Sequence, residues 1–296
     1  MTSAGRAAAW LRLMPAVFVL IWSTGFIVAR YGMPYAPPLK FLVVRYALSV
    51  LCFGLWVAAT RVAWPVRRAQ WLHLAVTGIL MQAGYLGGVW AAVKAGMGSG
   101  LVALLVGLQP VLTALWMSMH GGAITKRQWT GLLLGFAGLV LVVSRKLGQG
   151  GEVNALTMGL AVFALLSITA GTLYQKRFVA PCDVRSASAV QLAAALVVTL
   201  PFALFESGAI IWNAAVIGSM AWSVLALSLG GASLLYMLIQ RGTATAVTSL
   251  LYLVPPCTAV MAWLLFDEPI TLVTLAGISL TAVGVSLVVR SAAPPS

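Results

Sequence analysis

The chain has 296 residues, of which 61% are apolar and only 8% charged. A soluble core of that size does not need so much apolar surface, so a soluble globular domain is excluded. The net charge of +13 then reads as Lys and Arg kept in the loops of one membrane face, rather than as a nucleic-acid surface.

Arg6 and Arg12 precede the first apolar run, as in a signal peptide. That run passes Trp22 and Phe26 without a small-residue cleavage site, which predicts a retained first span. Apolar stretches of about 20 residues, the length of a bilayer core, then recur to the end. Ten are predicted: Leu13–Ala29, Leu39–Ala59, Trp71–Val93, Gly98–Met119, Gln128–Ser144, Leu156–Tyr174, Ala187–Phe205, Ala215–Gln240, Thr243–Phe266 and Leu272–Val289. They are too long for barrel strands and lack strand alternation, so the predicted class is all-α and polytopic. Cys52, Cys182 and Cys257 show neither metal spacing nor a disulfide pattern. No cofactor or metal site is expected.

The stretch Gly96–Val143 recurs, shifted by 146 positions, as Gly242–Val289 without a gap. Pro110 falls on Pro256, Ile124-Thr125 on Ile270-Thr271, Gly131 on Gly277 and Gly138 on Gly284. Upstream, Gly84 falls on Gly230 and Trp90 on Tyr236. The predicted unit is five helices used twice, residues 1–146 and 155–290.

Five is odd, so a second copy enters the membrane from the opposite side. With the N-terminus in the cytoplasm, that side holds Arg6, Arg12, Arg61, Arg67, Arg68, Lys126, Arg127, Lys176, Arg177, Arg185, Arg241 and Arg290. The other side holds Arg30, Lys40, Lys94, Arg145 and Lys146. This asymmetry places both termini in the cytoplasm. Inverted five-helix repeats are a transporter architecture with the site near the midplane.

The run IWSTGFIVARYGMPYAPPLKFLVVRYAL, the pattern repeated from Gly96 to Val143, and SLLYLVPPCTAVMAWLLFDEPIT resemble the EamA-like branch of the drug/metabolite transporter superfamily. The resemblance implies ten helices, an inverted repeat, a bacterial inner-membrane location and export of amino acids or related metabolites. It also implies a central cavity walled by spans 1, 3, 4, 6, 8 and 9. Two positions depart from the family pattern. Gly121-Gly122 replaces the Gly-Glu pair after span 4, and Val254 stands where a Glu often precedes the span-9 Pro.

Polar and aromatic residues inside spans are the candidate substrate contacts, because polar groups in hydrocarbon are costly and face a bundle interior. These are Trp22, Ser23, Thr24, Gln82, Tyr85, Trp90, Gln109, Thr169, Tyr174, Tyr236 and Tyr252. Trp90, Tyr174 and Tyr236 also fit an interfacial aromatic belt, and Ser23 and Thr24 fit back-bonds to their own helix. Gln109 stands out because it is mid-span, directly before Pro110, with no simple structural job. Pro110, Pro255 and Pro256 predict kinks at matching depth in both halves, as fixed bends or as hinges. Arg45, about two turns inside span 2, is a brace or an anion contact for a substrate carboxylate. Lys94 reads as a snorkelling side chain, and spans 5 and 10, rich in small residues, as a packing pair.

Glu152, Asp183, Glu206, Asp267 and Glu268 all fall in loops or at span ends. With no acid inside a span, hydrophobic dications are not the expected cargo and proton coupling is expected to be weak. His73 and His120 sit at span ends. An intramembrane enzyme fits poorly. Ser99 and His120 lie roughly 31 Å apart along a helix, and neither an HExxH nor a paired intramembrane Asp occurs. A passive channel or a membrane scaffold is the other alternative. The expected partners are a small-molecule substrate and the lipid bilayer, with monomer or homodimer left open.

Overall fold

A computed structural model describes residues 3–120, 125–146, 153–241, 250–267 and 270–292. Every regular element among them is helical. In order they are α1 (Ser3–Gly32), α2 (Pro38–Thr60), α3 (Arg68–Gly78), α4 (Tyr85–Lys94), α5 (Ser99–Val106), α6 (Gln109–Met119) and α7 (Lys126–Lys146). There follow α8 (Ala155–Phe178), α9 (Val184–Phe205), α10 (Ala214–Trp222), α11 (Ser233–Arg241), α12 (Val254–Phe266) and α13 (Leu272–Ala292). Two π-helical stretches, Ile79–Gly84 and Ser223–Ala232, join α3 to α4 and α10 to α11. Gly121-Gly122, Glu268 and the opening of the second repeat copy, Gly242–Ser249, lie outside the described residues.

Among the described residues, seven stretches are long and apolar enough to cross a membrane: Leu13–Gly32, Pro38–Thr60, Arg68–Lys94, Ser99–Met119, Ala155–Phe178, Val184–Phe205 and Ala214–Gln240. Val254–Phe266 and Leu272–Gly284 are shorter apolar helices. α7 carries Lys126, Arg127, Arg145 and Lys146 at its ends. The chain is therefore a polytopic membrane protein whose backbone polar groups are satisfied within helices, as hydrocarbon requires.

Local chemistry sets the helix ends. Pro38 occupies the first turn of α2, where its missing N–H costs nothing. Asn154 and Thr157 form a reciprocal capping box at α8, and Asn213 accepts from the Val216 N–H at α10. Thr125 Oγ accepts from the Gln128 N–H at α7, and Thr271 Oγ accepts from the Thr274 N–H at α13. Both positions of that cap recur at the 146-residue offset. Shifting the bounds of α7, 126–146, by 146 returns 272–292, the bounds of α13.

Asp183 starts α9. Its carboxylate accepts from the Arg185 backbone N–H (2.9 Å) and from the Arg185 guanidinium (2.9 and 2.8 Å). The guanidinium hydrogen bonds hold this carboxyl below its ordinary range. A lowered native pKa stabilises above the unfolded-chain value and is lost as pH falls through the native one. The pair is partly exposed, so Asp183→Asn is expected to cost about 0.5–1 kcal/mol. Thermal unfolding in detergent at neutral pH would show a small fall in Tm that disappears in acid.

α7 and α13 pack along each other through glycine. A Cβ on Gly138 would lie 2.5 Å from the Gly277 carbonyl oxygen, and a Cβ on Gly284 would lie 2.5 Å from that of Gly131. Rising along α7 from 131 to 138 means falling along α13 from 284 to 277, so the helices run antiparallel. The 146-residue offset turns one contact into the other. Gly84 and Gly88 likewise admit α8, at Ser167 and at Leu160 and Ala164.

Loop contacts sort the ends of the helices into two faces. Gln70 bonds Ala180, the Arg185 guanidinium lies 5.7 Å from the Trp56 ring, and Lys176 donates to the Ile239 carbonyl on one face. On the other, Lys40 donates to the Gly208 carbonyl, Ile211 N–H to the Tyr35 carbonyl and Lys94 to the Met33 carbonyl. The more basic set of loops occupies the first face. Lys94 is exposed, as a snorkelling side chain is.

Candidate functional site

In the last third of α1, the second half of the α3–α4 pair, near the midpoint of the α10–α11 pair and a third of the way along α2, side chains converge on an interior cavity. Trp22, Phe26, Arg45, Gln82, Tyr85 and Trp90 line it, with Leu227 and Ala232 from the second π stretch. The empty volume between them is about 410 Å³. It is narrow: the centre of a water-sized sphere can occupy about 30 Å³, room for about two waters.

The sequence builds this wall with two wide turns. In the first, the Tyr85 N–H reaches back to the Leu80 carbonyl, five residues earlier. The Tyr46 hydroxyl donates to the Gln82 carbonyl at 2.7 Å, so a side chain of α2 holds the widened ladder. Along the second π stretch and into the first residue of α11, Ser223, Ser228 and Ser233 recur every five residues, and all three are buried. Arg45 Nε donates to Ser228 Oγ at 3.1 Å, which ties α2 to this turn. The two π stretches overlap at the 146-residue offset, since 79–84 maps to 225–230. Such turns recur at functional positions because they rotate side chains out of register.

Arg45 is 3% exposed. Its guanidinium carbon lies 5.9 Å from the centre of the Trp90 ring, and its Nη1 has no hydrogen-bond partner. None of the lining residues is acidic. Trp22 stacks on Tyr85 with centroids 6.0 Å apart and planes 2° from parallel, and Phe41 packs on Trp90 at 4.7 Å. Trp90 is therefore core rather than interfacial belt.

The other sequence candidates do not meet in this cavity. Ser23 back-bonds to the Val19 carbonyl and its own carbonyl accepts from Thr258. Thr24 back-bonds to Ile21 and accepts from Trp222 Nε1 at 2.8 Å. Gln109 has a structural job: Nε2 donates to Thr172 Oγ at 3.0 Å and bridges α6 to α8. Its Oε1 is buried without a partner. Tyr236 is buried and its hydroxyl lies 3.1 Å from Cys182 Sγ. Tyr174 bonds His73 Nδ1 at 2.8 Å. The Tyr252 side chain lies outside the described ones. The cavity draws on spans 1, 2, 3 and 8, so it adds span 2 to the expected wall and omits spans 4, 6 and 9. The reach of Arg45 to Ser228 explains the addition.

Spans 4 and 9 break where proline is expected to bend them. α5 ends at Val106, Gly107-Leu108 form a turn, and Pro110 sits in the first turn of α6. Leu251–Leu253 is a 3₁₀ turn, after which Pro255 and Pro256 open α12. A Cβ on Gly107 would lie 2.6 Å from Pro255 Cγ, so the two breaks touch.

A second space, apolar, partly open and about 1120 Å³ where the first is about 410 Å³, lies between α6 and α8. Leu112, Thr169, Tyr174, Arg177 and Met119 line it. At the 146-residue offset Leu112 corresponds to Thr258, Thr169 to Ser23 and Arg177 to Tyr31. There α1 and α12 are closed on each other. Thr258 Oγ donates to the Ser23 carbonyl at 3.4 Å, and the Tyr31 and Phe266 rings meet at 4.7 Å. Equivalent helix pairs thus differ: α1 and α12 meet through these residues, whereas α8 and α6 meet at Gln109 and Thr172 and leave a space beyond that contact.

The EamA-like transporter family model matches residues 8–144 and again 155–290. An uncharacterized transporter of Bacillus subtilis, YvbV, is 28% identical over 281 residues, 93% of this chain and 90% of that one. A probable amino-acid metabolite efflux pump of Salmonella typhimurium is 24% identical, with 90% of each chain covered. A solved crystal structure shares the fold with a TM-score of 0.68 at 18% identity, covering 95% of this chain and 97% of that one. The family model takes in both halves that carry the π turns and the glycine seam, and the chain belongs to the EamA-like transporter family.

Proposed function

We propose that this transporter exports amino acids or related small metabolites across a bacterial inner membrane by alternating access between two inverted repeats, residues 1–146 and 155–290. The observation that carries the reading is the broken symmetry of the equivalent helix pairs. α1 and α12 are shut at Tyr31 and Phe266, while α8 and α6, joined at Gln109 and Thr172, leave a space at the equivalent end, and an inverted repeat that exchanges these two arrangements opens each face in turn. The antiparallel α7–α13 seam, whose contacts map onto each other, supports the inversion. With the more basic loops in the cytoplasm, both termini lie there and the space between α8 and α6 faces inward. The breaks at Gly107 and Leu253, beside Pro110, Pro255 and Pro256, supply hinges. The Salmonella typhimurium relative, a probable amino-acid metabolite efflux pump, supports the substrate class.

The test is counterflow in proteoliposomes. Vesicles preloaded with an unlabelled cargo, drawn from amino acids and related small metabolites, are expected to accumulate the same compound in labelled form at least about fivefold faster than unloaded vesicles. A passive channel gives no such acceleration. Absence of counterflow across a broad amino-acid and small-metabolite panel removes the carrier reading.

A further inference from the structure

The cavity at Arg45 has a charge that no lining residue balances. Arg45 is buried, spends Nε on Ser228, and leaves Nη1 without a partner beside the cavity. Glu152, Asp183, Glu206, Asp267 and Glu268 are all the acids of the sequence, and none is among the lining residues. A buried cation without a counter-ion is costly, and an incoming anion with a charge-assisted hydrogen bond repays that cost. The guanidinium fork suits a carboxylate in particular. The remaining wall is Trp22, Phe26, Tyr85, Trp90 and Gln82, which offers apolar and aromatic surface with one amide. An α-ammonium would find no carboxylate there.

We infer that the cargo of this site is a net monoanion, a small carboxylate with an apolar or aromatic body and no ammonium group beside the carboxylate, admitted when alternation widens a space that here holds about two waters. This deepens the carrier reading and rests on it. The charge on the cargo also supplies the driving force. A carrier that moves one negative charge outward is driven by an inside-negative membrane potential, and each ~60 mV supports about a tenfold outward gradient. Such export needs no proton-binding carboxylate within the spans, and the spans contain none.

The experiment uses the full chain in liposomes and four matched pairs of probes. Pyruvate, 4-methyl-2-oxopentanoate, phenylpyruvate and indolepyruvate are compared with alanine, leucine, phenylalanine and tryptophan. Protein-free vesicles correct for leak, and potassium gradients with valinomycin set the potential. At least one 2-oxo acid is expected to show counterflow, and an inside-positive potential should speed its uptake severalfold. Its amino-acid partner should show at least tenfold less transport. Arg45→Gln is expected to lose at least tenfold of the 2-oxo acid transport, with Arg45→Lys retaining part of it. The response to potential is read on the unmodified protein, so the inference stays testable should either variant misfold. Counterflow of amino acids with no 2-oxo acid carried would overturn the anion assignment and leave the carrier reading standing. So would 2-oxo acid transport that ignores the potential. No counterflow of any of the eight probes would overturn the assignment, and the wider panel above then decides the fate of the carrier reading.

Discussion

Replacing Gly78 by valine is expected to leave almost no folded protein in the membrane. Gly78 ends α3 where it crosses α9, and a Cβ built there would sit among the backbone O, Cα and C atoms of Gln191. A backbone cannot swing aside as a side-chain tip can, so α3 must lift off α9. The damage spreads, because the first π turn begins at the next residue and carries Gln82 and Tyr85 into the cavity wall. Gly54 and Gly159 are the controls. Neither would bring a Cβ within 4 Å of another element, and alanine there is expected to gain about 0.5–1 kcal/mol of helix stability. Monodisperse yield after mild detergent extraction, read by size-exclusion fluorescence of a tagged chain, should fall more than tenfold for Gly78→Val. Gly54→Ala and Gly159→Ala should match the parent. Parent-level yield of Gly78→Val would mean that α3 and α9 do not meet at backbone contact.

Much of the fold is legible in the sequence because hydrocarbon leaves the backbone few choices. Long apolar runs become helices, and a glycine seam at constant offset becomes a close pair. The α7–α13 seam shows how far this goes: Gly131, Gly138, Gly277 and Gly284 are visible as repeats, and they are the residues at the contact. The predicted opening of span 9, residues 243–249, lies outside the described residues; after it, a 3₁₀ turn at Leu251–Leu253 leads into α12.

The site is legible by residue type but not by partner. Trp22, Gln82, Tyr85, Trp90 and Arg45 meet in one cavity, and each is a candidate for being polar or aromatic inside a span. Tyr46 and Ser228 escape that reasoning. A tyrosine beside an arginine carries no distinct signal, and Ser228 reaches Arg45 only because a π turn rotates it. The five-residue spacing of Ser223, Ser228 and Ser233 is the available clue. It matches the wide turn and not the 3.6-residue period. Gln109 misleads for a different reason. Its partner Thr172 is 63 residues away, and only tertiary packing brings them together. The same holds for His73 with Tyr174, 101 residues apart.

Bridging Tyr31 to Phe266 is expected to stop transport by more than tenfold. The test begins from a chain in which Cys52, Cys182 and Cys257 are replaced by alanine, with cysteines at 31 and 266 joined by a short bifunctional thiol reagent. These rings touch at 4.7 Å, so the bridge should form quickly in resting protein. At the offset positions, 177 and 120, the helices stand on either side of the apolar space, and the same reagent should react slowly there. If the two faces exchange, adding a transported substrate should slow the first bridge and speed the second. Either bridge, once formed, locks one arrangement, and a reagent cleavable by reductant should restore transport. The argument needs both faces. A pair at 31 and 266 that transports normally while bridged would show that α1 and α12 never part, and the contact there would then be static packing. A 177–120 pair that stays slow under every condition, beside a 31–266 bridge that blocks transport, would place the moving element elsewhere, with the breaks at Gly107 and Leu253 as the next helices to bridge.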